Sequence, residues 1–354
     1  MLAKKREGAA PVMEARSLLR DAAGTVLYRL GVTRPSRTSA GRLTIVTFHR
    51  VLPPQKLAEY PMPTLAVTPD ELAWFLQFFK ANFTCLRLTE ALARLKATVA
   101  PESERPLLAV TFDDGALDNF EHALPVLRAV GVPATFFAVT ESASAGELPW
   151  PDRLAYAVEK CRNRGDAEAT RLMKDVAAST RGEGATAEAV EQAKGLPPRQ
   201  LESLVARAAR VAGPAFIPAW DRPMTWAELR CLATEGHEIG SHSRSHPVLT
   251  LCDDQQLQHE TQLSRERMEA ELGQDVTSFC YPNGNFDDRV VAVLARTGYR
   301  SAVTTRWGRN DAATSPFRLF RCDIQGRTSR SALGELSAAR LAWRLSGLHP
   351  GLTR

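Results

Sequence analysis

Two runs constrain this chain more than anything else in it: LTIVTFHRV, residues 43–51, and LLAVTFDDG, residues 107–115. Each opens with apolar and β-branched residues on both parities. Such a run reads as a strand covered on both faces, the kind found in a parallel sheet under helices. ATFFAV, residues 134–139, is a third. Between the second and third lies a helical stretch, Ala123–Val130, stopped by Gly131. Strand, helix, strand at this pitch is the βαβ rhythm. The first two strands run directly into polar residues, His49 in one and Asp113-Asp114 in the other.

The rhythm continues along most of the chain. Thr68-Pro69-Asp70-Glu71 has the form of a capping box with proline in the first turn, followed by the apolar face Leu72, Phe75, Leu76 and Phe79. A second box, Thr225-Trp226-Ala227-Glu228, opens a helix ended by Gly236, and HEIGSH, residues 237–242, follows as a strand. A polar amphipathic helix is expected over 253–272, strands over 276–281 and near 300–304, and a helix from about Asp288 to Arg296. Residues 146–222 break the pattern. They are rich in Ala, Arg, Glu and Leu, with breakers at Gly182-Glu183-Gly184 and Leu196-Pro197-Pro198. They read as a helical insertion on a connecting loop. The expected division is a basic, irregular segment 1–40, a barrel domain 41–330 containing the insertion, and a tail 331–354.

Charge and cysteine usage narrow the setting. The chain of 354 residues carries a net charge of +5, too dilute for a nucleic-acid-binding stripe. None of its six cysteines stands in a C-x-x-C pair, and the spacings suit neither a zinc finger nor a disulfide scaffold. No apolar run reaches the roughly 18 residues of a spanning helix. Arg16, Arg20, Asp21 and Arg29 interrupt the apolar stretches near the start, so no signal peptide is expected and the chain reads as cytoplasmic. Leu18, Leu19, Val26, Leu27 and Leu30 among these arginines form either an amphipathic helix on the inner membrane surface or a helix packed on its own domain.

Three polar clusters follow strands, and in a parallel barrel the strand ends define the active face. His242 and His246 are four residues apart, within reach of one ion if they share a helical face, or incidental in a surface turn. Asp113 and Asp114 repel each other as carboxylates, unless one of them simply caps an Asp-Gly turn. A metal ion resolves the conflict, with one Asp as ligand and the other free as a base; two histidines plus a carboxylate leave open positions on it. Two other readings fit parts of the pattern. A glycosidase could use the acid pair but leaves the histidine pair unexplained. An inactive carbohydrate-binding barrel is the other. An iron oxygenase would want an H-x-[DE] spacing absent from the histidine region.

TFDDG at 111–115, EIGSHSRSHP at 238–247 and FCYPNGNFD at 279–287 resemble the motifs of the metal-dependent polysaccharide deacetylases, the NodB-homology family, in the family's order. The resemblance implies a distorted (β/α)7 barrel that hydrolyses N-acetyl groups on amino sugars of a carbohydrate substrate. It implies Asp113 as general base. Asp114, His242 and His246 would hold one divalent ion, zinc by default, with cobalt, nickel or iron as alternatives. The third motif implies an oxyanion contact near Asn283. Trp150, Trp226, Phe279 and Tyr281 have the ring faces to stack on a sugar, Tyr281 as the candidate substrate contact, although core packing is the ordinary fate of such aromatics. Two features depart from the pattern. Cys280 stands where an arginine usually tethers the base; Arg321, in PFRLFRCDI, resembles an arginine carried late in some exopolysaccharide deacetylases. No C-terminal histidine motif is evident, and His49 resembles the N-terminal catalytic histidine of a circularly permuted branch, to serve as the acid.

Overall fold

A computed structural model describes residues 10–97, 105–162, 164, 166–176 and 184–349. Seven parallel strands close into a barrel: β1 (Leu43–Phe48), β2 (Leu107–Phe112), β3 (Ala134–Ala138), β4 (Glu238–Ser241), β5 (Ser278–Cys280), β6 (Ser301–Trp307) and β7 (Leu319–Asp323). Neighbours in the wall are neighbours in sequence, and β1 closes the circle by pairing with both β7 and β2. The β1–β2 register, Leu43↔Leu107 through Phe48↔Phe112, aligns the two runs that dominate the sequence. This is the distorted (β/α)7 barrel expected. The strand β7 and its direct connection from β6 were not legible, since no helix separates them to mark the rhythm.

Strand parity layers the interior. Leu43 and Ile45 of β1, Leu107 and Ala109 of β2, Val303 and Leu319 share one buried cluster with Leu88 and Ala91 of the helix Leu88–Lys96, which plugs the N-terminal end. Val46, Phe48, Leu108, Val110 and Phe112 point the other way, into the cluster beneath the outer helices. Continuing the inward parity gives Thr47, then Thr111 and Asp113. Asp113 is thus aimed into the barrel by the same alternation that buries Leu107.

Both predicted capping boxes form, Thr68 with Glu71 and Thr225 with Glu228. The helix expected over 253–272 is present but carries a π turn at His259–Leu263. The insertion folds as helices Trp150–Arg162, Ala167–Val176, Ala185–Ala193 and Pro198–Ala212 around its own apolar cluster, which also takes in Leu52, Tyr60 and Met62. Of its expected breakers, Gly182 and Glu183 lie outside the described residues. The basic segment 1–40 contains the helix expected around Leu18–Leu30, Ala10–Arg29, and the region read as a tail contains another, Ala338–Leu345. The two helices pack together, and Leu341, Ala342 and Leu345 join the main core. The apolar period of LAWRL had the spacing for this, masked by the polar residues around it.

Candidate active site

The C-terminal mouth of the barrel brings the sequence-predicted polar residues together. Arg321 enters from β7. There Leu319 pairs with Val303 while Arg321 pairs with Trp307, so β6 bulges and frees the Thr304 carbonyl, which accepts the Arg321 Nε–H at 2.8 Å. The guanidinium then grips Asp113 with both forks, Nη1 to Oδ1 at 2.8 Å and Nη2 to Oδ2 at 2.7 Å. Nη1 also donates to Thr47 Oγ1 at 3.0 Å. Arg321 is 1% exposed and Asp113 is 2% exposed. Burial pushes the Asp113 carboxyl up, but the charge and hydrogen bonds of Arg321 outweigh it and hold the group below the usual carboxylate range. Cys280 lies alongside, its thiol 3.5 Å from Asp113 Oδ2. The arginine missing at position 280 is therefore replaced in space by one from the neighbouring part of the wall.

His49, just past β1, has its Nε2 3.8 Å from Asp113 Oδ2, and its side chain is 22% exposed. Its carbonyl accepts from Asn119 Nδ2 at 2.9 Å.

Asp114, His242 and His246 form the second half of the site. Asp114 Oδ1 lies 3.4 Å from Nε2 of each histidine, and the two Nε2 atoms are 3.2 Å apart. His242 Nδ1 faces the Cys280 carbonyl at 2.8 Å, an acceptor. The Nδ1 atom must donate there, which leaves the Nε2 lone pair of the neutral ring pointing at the same spot as His246 Nε2 and Asp114. Three acceptor atoms converging on one point are stable only around a cation, so the donor set fits a divalent metal ion. Without the ion a proton serves instead. Burial pushes Asp114 up, yet the hydrogen bond to His242 and the imidazole charges hold it well below its ordinary value. Burial pulls His242 down, but contact with Cys280 and Asp114 raises it. His246 is lowered to about 3 by burial and by His242.

This convergence needs backbone that L-residues avoid. Among the described residues five non-glycines have positive φ, and four are here: Asp114 (71°), Ser243 (66°), His246 (65°) and Asn283 (57°). The pair at i, i+4 therefore does not sit on a helical turn, as one reading of the spacing had it. It sits on a strained loop held from below. Glu260, in the π turn, accepts the N–H groups of Arg244 and Ser245 at 3.0 and 2.8 Å and the Ser245 hydroxyl at 2.6 Å. Trp150 of the insertion donates its indole N–H to the His246 carbonyl at 2.8 Å. Glu260 was not identifiable from sequence as part of the site, since a buried Glu in a polar helix carries no local signal; Trp150 stood out only as an aromatic for a sugar face or the core, not as a support of this loop.

The third motif divides. Asn283 lies in the turn after β5, whose Gly284 has no room for a side chain: a Cβ there would come within 2.1 Å of Thr305 Oγ1. The sugar contact expected of Tyr281 is corrected. Tyr281 is 1% exposed, its hydroxyl donates to the Phe317 carbonyl at 2.9 Å, and its ring stacks on Phe286. It builds the wall beneath the turn.

Arg50, adjacent to His49, organises a further buried cluster that sequence reasoning missed. Its guanidinium reaches Asp118 (2.6 Å), Asp152 (3.0 Å) and Asp221 (2.5 Å). Tyr60 donates to Asp152 at 2.8 Å and Tyr156 to Asp221 at 2.6 Å. Asp152 and Asp221 lie at the two ends of the insertion, so one cation ties both ends to the strand that carries His49. Burial, with Asp221 and Asp114 opposing the charge of Arg50, pushes Asp152 up to about 7. The only signal was a lone arginine between apolar residues in HRVL.

The polysaccharide deacetylase family pattern matches residues 100–182 and 185–302, more than half of the chain. The chain belongs to that family. Two solved structures share the fold. PplD, a deacetylase of Streptococcus pyogenes solved with acetate, aligns with a TM-score of 0.55 at 18% identity over 83% of this chain and 96% of PplD. IcaB from Ammonifex degensii aligns at 0.54 and 17% identity over 86% of this chain and 97% of IcaB. In sequence, the Bacillus subtilis protein named "Putative polysaccharide deacetylase YxkH" is 21% identical over 247 residues, 70% of this chain. The match spans 62% of YxkH, under two thirds of that relative's length.

Proposed function

We propose that this chain removes N-acetyl groups from amino sugars of a polysaccharide or lipid-linked saccharide of the exopolysaccharide type. One divalent ion, zinc by expectation, would be held by Asp114, His242 and His246. The observation that carries the reading is the convergence of those three ligand atoms beside an Asp113 fixed by Arg321. An amide is a poor electrophile with a poor leaving group. The ion would polarise the acetyl carbonyl and acidify a water. Asp113 accepts the proton of the attacking water, and its bidentate contact with Arg321 keeps it ionised and oriented for that role. His49, across the mouth and partly exposed, delivers a proton to the departing amine. The N–H groups of the strained turn at Asn283 would face the developing oxyanion.

The glycosidase reading is weakened by the same geometry. Its acid must be protonated, whereas both oxygens of Asp113 are engaged by a buried guanidinium. The reading includes a cytoplasmic site of action, with the saccharide met before export, which cell fractionation tests: a processed, extracytoplasmic form would overturn it. The deciding experiment for the activity is acetate release from acetylated amino-sugar oligomers with and without chelator. Release that stops on chelation and returns with zinc is expected. Release indifferent to chelator refutes the metal, and cleavage of the glycosidic bond refutes the reaction.

A further inference from the structure

The N-terminal helix Ala10–Arg29 takes no part in the site above. Its stripe Ser17, Asp21, Gly24 and Tyr28 faces inward. Arg340 of the C-terminal helix binds Asp21 and donates to the Ser17 carbonyl at 3.0 Å, and a Cβ on Gly24 would sit 3.1 Å from the Trp343 ring. The opposite stripe carries Leu19 and Val26, and Leu30, in the turn just past the helix, continues it; the spacings of seven and four return to one side of a helix. These are 71%, 55% and 70% exposed, and Leu18 at their edge is 53% exposed. Among the described residues eight large apolar side chains are exposed, and these are four of them; Leu333 and Leu348, in the segment packed against this helix, are two more. Single exposed leucines need no explanation, but a row of them on one face does.

Charge is concentrated in the same place. Residues 1–42 hold nine Lys or Arg against three Asp or Glu, a net of +6, while the whole chain carries only +5. Arg20, Arg29, Arg34 and Arg37 are exposed, and none of the salt bridges among the described residues uses them. Asp21, which could have neutralised one, is taken by Arg340. No described helix is long and apolar enough to cross a membrane.

We infer that this face docks on an anionic lipid surface, the helix lying in the plane of the interface with Leu19, Val26 and Leu30 among the acyl chains and the arginines at the headgroups. A second copy of the chain is a poorer occupant, because pairing the two faces would set arginine against arginine. Residues 1–9 are a poorer cover for the same reason, since they bring Lys4, Lys5 and Arg6.

The test uses the full chain and flotation with vesicles of phosphatidylcholine alone or of phosphatidylcholine with phosphatidylglycerol. Flotation with the second composition is expected, falling as salt rises. The variant L19E/V26E/L30E, which keeps good helix formers in the helix, should lower it at least about tenfold. R20E/R29E, with the apolar stripe intact, should lower it several-fold. Melting temperature and acetate release from a soluble oligomer stay at wild-type values in both, because these side chains lie outside the site. Flotation with neither composition, equal flotation on both, or flotation unchanged by the triple substitution overturns the inference. A dimer that the triple substitution turns into a monomer overturns it in favour of a second copy.

Discussion

Replacing Arg321 with methionine removes the cation that does most to keep the buried Asp113 carboxylate ionised. In the wild type the guanidinium makes two bonds of 2.7–2.8 Å to Asp113 and further bonds to Thr304 and Thr47. Methionine fills most of the volume but supplies no donor. What remains near the carboxylate is the Cys280 thiol at 3.5 Å, His49 at 3.8 Å and the His242 ring within 4.8 Å, none of which replaces the two guanidinium bonds. Breaking one side of a fully buried pair costs about 3–5 kcal/mol, and the 1–2% exposure of both partners puts this one at the upper end. The pH dependence follows from the sign of the shift. Asp113 is lowered in the wild type, so its contribution is present above the unfolded carboxylate pKa and lost as pH falls through the folded value. With Arg321 gone, burial dominates and the folded pKa rises above the unfolded one. The variant then loses stability as pH increases, and its deficit against wild type is small near about pH 4 and full near about pH 8. Urea unfolding of chelator-treated protein at the two pH values measures this. The double variant Arg321→Met/Asp113→Asn, with no charge left to strand, should recover to within about 1 kcal/mol of wild type. A deficit below about 1 kcal/mol at the higher pH, an equal deficit at both, or a double variant no better than the single one refutes the reasoning.

Three further outcomes are expected. Zinc at about a hundredfold above its Kd should stabilise the chain by about 2.7 kcal/mol, weakly at acid pH where a proton holds His242, and His242→Ala should abolish the rise in melting temperature. Asp113→Asn should bind zinc normally in a direct binding assay while acetate release falls by about 10²–10⁴-fold; near-normal release would remove the base from Asp113. Asp152→Asn keeps an acceptor for Arg50 and Tyr60 but removes a carboxylate whose pKa is pushed up to about 7, one of three facing a single cation. A raised carboxylate favours the folded state at low pH and loses that contribution as pH rises toward 7, so the variant's melting temperature relative to wild type should increase between about pH 5 and about pH 8. An offset that stays constant would show that Asp152 does not titrate in this range.

Fold and site were legible to different depths. LTIVTF and LLAVTF announced buried parallel strands because covered strands have no polar face to disguise them. Asp113, Asp114, His242, His246 and His49 were identifiable because each follows such a strand. The position of Arg321 came only through family likeness, since nothing in PFRLFRCDI says that β6 bulges and turns the side chain inward. Tyr281 was misread because an aromatic in a motif looks the same whether it faces a sugar or a wall. Glu260, Trp150 and the Arg50 cluster act across 16, 96 and up to 171 residues of chain, and one-dimensional patterns do not report pairings at such separations.

The Arg50 cluster has a consequence for how this chain can change. Asp152 near the start of the insertion and Asp221 at its end both rest on one guanidinium, so its two ends lie close together. Its apolar residues largely satisfy one another in a cluster of their own. A segment with adjoining ends and a private core is a cassette: it can lengthen, shorten or be exchanged while the barrel keeps its closure. Among the described residues, Trp150 of the insertion reaches the candidate site directly, its indole N–H donating to the His246 carbonyl. Exchange of the cassette would therefore change the support of the His242–His246 loop from outside the barrel while leaving the strands beneath it unaltered.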